Sequence, residues 1–373
     1  MLDHVCGALT RRTDMGQTKN KRKQGSDMNI TIAVADSNRD YIDRLSEGLQ
    51  QYEELTVCMY TNGEKLQKDM DSKHFDIVLF DPDISEDRLI FANVGFPVYL
   101  YSDEARNKEI YADFAKVVKY QRISSIYKEI IREYADKAGY TADFDYSQNT
   151  RVAAVYSPAG GSGKTTVALA LAGRLAALGK KVLFVSAEQL NSSFYVNPKQ
   201  EEGITALVEG AADEHVNFSL KVKGIMKQGM NGMFYIEGFG KIVDYDAVTG
   251  NEMGDTLNKI RRCGICDVMV IDMESNLDVI GRVILELADH VVVVEKPGEL
   301  PAMKMKLFAG QALMNDYRKK MSRVCNFAEN ASVYCKELDI PTVGTVHNYG
   351  NLPLKSIIQS IHSNGEISVE RFL

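Results

Sequence analysis

No stretch of this 373-residue chain approaches the ~20 consecutive apolar residues that a bilayer-spanning helix needs. Its opening residues also lack the continuous apolar stretch of a secretory signal, so a cytoplasmic protein is expected. An excess of basic charge is missing too. The formal charge is −7, which argues against broad nonspecific binding of nucleic acid. Cysteine is sparse: the six residues Cys6, Cys58, Cys263, Cys266, Cys325 and Cys335 are scattered, as reduced cytosolic thiols are. Cys263 and Cys266 have metal or redox spacing, but they precede a predicted strand instead of following one. With no second close pair to complete a zinc site, ordinary packing is their expected role. Repeats and low-complexity tracts are absent. What is present is a 45% hydrophobic composition, enough to fill ordinary cores, on a length that suggests two domains.

Residues 1–28 are polar and basic, with Arg11, Arg12, Lys19, Lys21, Arg22 and Lys23, and read as a disordered tail. Met28 is the natural beginning of the first domain. From residue 29 the hydrophobic period predicts strands at 30–35, 55–60, 75–80, 97–101 and 115–118. Helices are predicted at 39–52, 63–71, 103–111 and 124–138. This alternation implies a five-stranded parallel sheet, flavodoxin-like in type, over residues 29–138. Residues 139–150 carry no period and make a linker. A second α/β domain, 151–373, shows predicted strands at 152–156, 181–185, 233–237, 267–271, 290–294 and 342–346.

The second domain carries the strongest chemical signal. Ser157-Pro158-Ala159-Gly160-Gly161-Ser162-Gly163-Lys164-Thr165-Thr166 follows an apolar strand and opens a helix with Gly179 as its predicted C-cap. Glycines let backbone N–H groups close around a phosphate, and the helix N-terminus adds a positive field. Lys164 is placed to reach β- and γ-phosphates, and the Thr165 hydroxyl to hold Mg²⁺. Asp272 closes the buried run 267–271 and resembles the Walker B aspartate, which holds Mg²⁺ through water.

The Gly-Gly-x-Gly-Lys-Thr-Thr core at 160–166 resembles the deviant phosphate loops of the MinD/ParA ATPases. The resemblance implies ATP and Mg²⁺ as ligands, held by Gly160, Gly161, Ser162, Gly163, Lys164, Thr165 and Thr166, and it implies a homodimer. In that family a signature lysine stands where this chain has Ala159, and it reaches across the dimer to the partner's nucleotide. A further family feature, Asp-x-Asp, falls on Ser186-Ala187-Glu188. Glu188 would be the residue that positions the attacking water, one methylene out of place. Slow or absent hydrolysis is therefore expected. Residues 191–196 would form a loop that reports nucleotide state, and 295–298 lie in the stretch that runs beside the purine in the family. Arg318, Lys319, Lys320 and Arg323 fall on a predicted helix and read as a solvated face, so no DNA partner is expected. Residues 356–373 lack the Lys-rich amphipathic helix with which MinD binds membranes, so no direct insertion is expected.

The first domain resembles the receiver domain of response regulators. Asp81 matches the phosphoacceptor, Ser102 the switch hydroxyl and Lys119 the ion-pairing lysine. Where the family pairs two acids, this chain has Asp36-Ser37, and a hydroxyl is a poor ligand for a hard cation. An inert module used for docking is expected. The pairing of an altered receiver with a MinD/ParA-like ATPase resembles the TadZ/CpaE pilus-assembly ATPases. That likeness implies a hub at the cell pole for a Tad (Flp-type) pilus secretion machine, with other pilus-assembly proteins and a pole marker as partners. Two other readings stay open: a ParA-type DNA-partitioning ATPase, and a phospho-regulated response regulator with an ATPase output.

Overall fold

A computed structural model describes residues 30–52, 54–137, 150–191, 203–213, 216–311, 313–329 and 332–372. The predicted basic tail, all of the linker but Thr150, and nearly all of the 191–196 loop lie outside the described residues.

The first domain alternates β1 (Ile30–Ala35), α1 (Arg39–Leu49), β2 (Leu55–Tyr60), α2 (Gly63–Ser72), β3 (Phe75–Phe80), β4 (Val94–Tyr101), β5 (Ala115–Val118) and α3 (Ile123–Lys137). The sheet is parallel in the order β2-β1-β3-β4-β5. Asn38 and Asn62 start α1 and α2 by accepting the N–H of Tyr41 and Lys65, which satisfies backbone donors the helices leave open. One face of the sheet packs on Ile42, Leu45 and Leu49 of α1 and on Ile126, Ile130 and Ile131 of α3. The other face packs on Leu66 and Met70 of α2. The predicted helix at 103–111 does not form. Only a 3-10 turn, Lys108–Tyr111, occupies that crossover, with Tyr111 turned into the core against Phe80.

The second domain runs β6 (Arg151–Tyr156), α4 (Lys164–Ala177), β7 (Val182–Ala187), α5 (Ile204–Ala212), α6 (Phe218–Ile225), β8 (Lys227–Gln228), β9 (Phe234–Ile236), α7 (Ile242–Ala247), α8 (Gly250–Arg262) and β10 (Val268–Met273). It continues with α9 (Val279–Leu287), β11 (His290–Glu295), α10 (Glu299–Ala309), α11 (Leu313–Tyr317), β12 (Met321–Ala328), β13 (Thr342–His347) and α12 (Leu354–Asn364). Eight strands order as β13-β12-β11-β6-β10-β7-β9-β8, all parallel except the β8–β9 pair. The strands are apolar on both faces because helices cover both. Helices α4 and α12 pack one face through Val167, Leu171, Ile358 and Ile361. The other face is covered through Leu207, Phe218, Met253, Ile280 and Met305 of α5, α6, α8, α9 and α10.

Two strands were not predicted. β12 displaces the expected helix around Arg318: residues 318–320 form a 3-10 turn and Arg323 lies in the strand. Its apolar residues, Met321, Val324 and Cys325, do not alternate with the polar ones, two of which, Ser322 and Asn326, are themselves buried, so no period of two marks the strand. Nor is the basic run a free solvated face. The ammonium of Lys320 bonds the carbonyls of Glu286 and Ala288, Arg318 bonds that of Ala309, and Arg323 pairs with Glu295.

The two domains meet through α3 and α6. Leu220 of α6 is buried in the first domain's core, and the N–H of Asn217 donates to the carbonyl of Ala135. Lys223 pairs with Glu54 at 3.4 Å. Thr150, expected in the linker, is buried and donates its hydroxyl to the carbonyl of Cys266, so it belongs with the second domain.

Candidate functional site

Parallel strands deliver their C-terminal ends to one edge of the sheet, and β6 lies at its centre. The loop that follows β6 is built from backbone. Gly161 and Gly163 have φ of +64° and +83°, a region where a side chain is strained. A Cβ on Gly163 would also meet Nδ2 of Asn326 at 2.2 Å. Gly163 is the N-cap of α4 and brings no side chain to cap it. The first N–H groups of a 14-residue helix are thus left for a ligand rather than for the protein. Among the described residues Gly160 has no heavy atom within 4 Å of its Cβ direction, which leaves space for a large group beside the loop.

Lys164 is buried, and its ammonium donates to Oγ of Ser275 at 2.8 Å. Ser275 comes from the loop after β10, so the lysine already spans the two strands that carry the site. Asp272 is fully buried on β10, in register with Val155 of β6 and Ser186 of β7. Thr165 and Thr166 occupy the first turn of α4. These residues fit a Mg²⁺-nucleotide: an uncapped helix N-terminus for phosphate, a lysine for charge, and a hydroxyl and a carboxylate as oxygen ligands for a hard cation. Ser186 is buried and neutral, as read from the sequence. Glu188 lies one residue beyond β7 on the same sheet edge and is half-buried.

Sequence reading missed three contributors. Ser275 holds the lysine. Asn326, at the end of β12, donates from Nδ2 to the carbonyl of Ser162 at 2.8 Å and so braces the loop. Lys296, just beyond β11, donates to the carbonyl of Gly160 at 2.9 Å. No local motif marks them, because the contacts join segments more than 100 residues apart.

The first domain brings Asp36, Asp81 and Lys119 together, whereas Ser102 lies just past β4 and, among the described residues, is not bonded to them. Lys119 is buried, its ammonium 2.8 Å from Asp36 Oδ2 and bonded to Asp81 Oδ2. The remaining carboxylate oxygens accept from backbone: Asp36 from the N–H of Asn38 and Asp81 from that of Asp83. The ammonium also lies 5.2 Å and 5.5 Å from the ring centres of Tyr41 and Tyr120. Burial opposes the charge on Lys119, but the bonds to Asp36 and Asp81 outweigh it and hold the ammonium protonated well above its usual range. Burial pushes Asp36 up, against the pull of Lys119. A cation is therefore already bridging both carboxylates.

Among the described residues no group of three His, Cys, Asp or Glu side chains could hold a metal. Burial pushes the Cys263 and Cys266 thiols up to about 12, and both pack with the second domain's core. No helix among the described residues is long and apolar enough to cross a membrane.

Residues 150–309 match the family model described as AAA domain. A protein of Rhizobium rhizogenes that carries the name replication protein A is 28% identical over 202 residues, 48% of this chain and 49% of that one. The chain thus spans about half the length of the curated relative it matches. Among solved structures, similar chains include MinD of Pyrococcus horikoshii complexed with Mg-ADP, at 16% identity and TM-score 0.45, covering 60% of this chain and 88% of that chain. A ParA family ATPase of Chlorobium tepidum matches at 16% identity and TM-score 0.47, covering 57% and 91%. The MinC:MinD complex of Aquifex aeolicus matches at 18% and 0.46, covering 58% and 87%. The segment that matches the AAA domain model, 150–309, contains the glycine-rich loop between β6 and α4 and the acid Asp272 on β10.

Proposed function

We propose that this chain is an ATP-binding localisation hub of the TadZ/CpaE kind for a Tad (Flp-type) pilus machine, acting as a homodimer at the cell pole. The observation that carries the nucleotide part is the loop itself: a helix N-terminus left uncapped, two left-handed glycines, and Lys164 held ready by Ser275. Gly160, Gly161, Ser162 and Gly163 offer backbone N–H groups to the phosphates, Lys164 offers charge, Thr166 completes the nucleotide contact, and Thr165 and Asp272 offer oxygens around Mg²⁺. When bound, Mg²⁺ would neutralise phosphate charge. Hydrolysis is slow or absent because Ala159 replaces the arm, Ser186 is neutral and Glu188 is displaced, so ATP acts by favouring one conformation or the dimer. The receiver-like domain serves as a docking module.

Lys164→Ala is expected to lose most ATP affinity, since charge-assisted phosphate contacts are the strong ones. Calorimetry with Mg-ATP checks it, and equal affinity in both proteins would refute the nucleotide reading. Brisk hydrolysis by the purified protein, lost in Lys164→Ala, would refute the slow-turnover part. A DNA-partitioning reading is favoured by one observation, the name of the Rhizobium relative. A DNA mobility shift that weakens with salt would select it.

A further inference from the structure

The position that lacks a lysine has one delivered to it from another strand. β11 lies directly beside β6, with Val293 paired to Tyr156. Continuing that parallel register by three residues sets Lys296 abreast of Ala159. The side chain then crosses to the loop: its ammonium donates to the carbonyl of Gly160 at 2.9 Å and lies 3.5 Å from where a Cβ of Gly161 would stand. Among the described residues it is the one atom within 4 Å of that direction, and none comes within 4 Å of the Cβ direction of Gly160. Ala159 itself is only 4% exposed. The backbone can bring Lys296 here because Pro297 and Gly298 (φ +127°) turn the chain away immediately afterwards.

We infer that Lys296 supplies, from the end of β11, the phosphate-neutralising cation that the loop lacks at Ala159, and that it acts on the terminal phosphate of a bound nucleoside triphosphate. This rests on the nucleotide reading proposed above. A lysine carries a compact charge on a flexible stem with three rotatable donors. One donor can stay on the Gly160 carbonyl while another turns to a phosphate oxygen. A triphosphate bears more charge than a diphosphate and places it further along the loop, so the lysine should tell the two apart. A mere clamp on the Gly160 carbonyl would support both nucleotides equally and would not need the charge.

The test titrates the full chain with Mg-ATP and with Mg-ADP by calorimetry, using wild type, Lys296→Gln, Lys296→Arg and Lys164→Ala, each checked for an unchanged circular dichroism spectrum. Glutamine keeps an N–H for the carbonyl and removes the charge; arginine keeps the charge. Lys296→Gln is expected to weaken ATP about tenfold or more while ADP changes less than about threefold, and Lys296→Arg to restore most of the ATP affinity. The ATP loss should shrink as salt rises, as an exposed ionic contact does. Equal losses for ATP and ADP, or wild-type ATP affinity in Lys296→Gln, would overturn the inference and leave the loop reading intact. Loss confined to Lys164→Ala is that second outcome. If wild type binds neither nucleotide, the underlying reading falls and this one falls with it.

Discussion

Lys119 sits between two buried carboxylates, and its removal would strand both. Asp36 and Asp81 are 1% and 5% exposed, so neither can recover water when its partner leaves. Breaking a buried ion pair by deleting one member costs about 3–5 kcal/mol, because the remaining charge stays desolvated. Lys119→Met is expected to destabilise the protein by about that amount, read from urea unfolding. A loss below ~1 kcal/mol would mean that the cluster is solvated in solution. The same residue occupies the carboxylates that a receiver-type metal site would use. Its ammonium bonds both Asp36 and Asp81, and Ser37, where a second acid would stand, is exposed. The three members were legible from their strand-end positions. The distances between them were not, because these are set by how strands β1, β3 and β5 register.

At the scale of elements, α6 is the unusual one. It belongs in sequence to the second domain but gives Leu220 to the core of the first. Its N-terminus is tied by Asn217 to the carbonyl of Ala135 at the end of α3. Leu220→Ala is expected to cost about 2–5 kcal/mol, the range for a fully buried leucine, and the loss should appear in the first domain although the substitution lies in the second. Amide hydrogen exchange would locate it: faster exchange in α1 and α3 supports the shared core, and faster exchange confined to α5 and α8 does not. The sequence read α4 and β10 well because a buried helix and a buried strand are apolar throughout. It misread residues 103–111 and 318–323, where short turns end in residues that tertiary packing alone accounts for, Tyr111 in a core and Arg323 on Glu295.

For the whole molecule, α3 and α6 join the two domains through Leu220 and the Asn217–Ala135 bond, so the cleanest test of the receiver-like part is a variant that leaves that contact whole. Asp81→Asn does so, since Asp81 lies at the end of β3 and bonds Lys119 and the N–H of Asp83. Under the docking proposal, a fluorescent fusion carrying Asp81→Asn should keep its polar focus. Loss of the focus, together with acid-labile phosphate at Asp81 in the wild type, would favour the phospho-regulated reading. Deleting residues 29–138 should abolish the focus. It would also expose Leu220, so solubility of the truncated chain must be compared in the same experiment.

By itself the sequence determined two α/β domains, the phosphate loop at 160–166 and the acid at 272. These are local facts: strand and helix periods, and glycines at positions whose backbone needs a positive φ, repeat within a few residues. Only the tertiary structure decided which distant groups complete the site. Ser275, Lys296 and Asn326 reach the loop because β10 and β11 flank β6 in the sheet and β12 lies beyond β11, an order that no local pattern encodes. The physical reason is that a parallel sheet gathers all its strand ends at one edge. Residues separated by more than a hundred positions then become neighbours through strand register, and side-chain length decides the final contact.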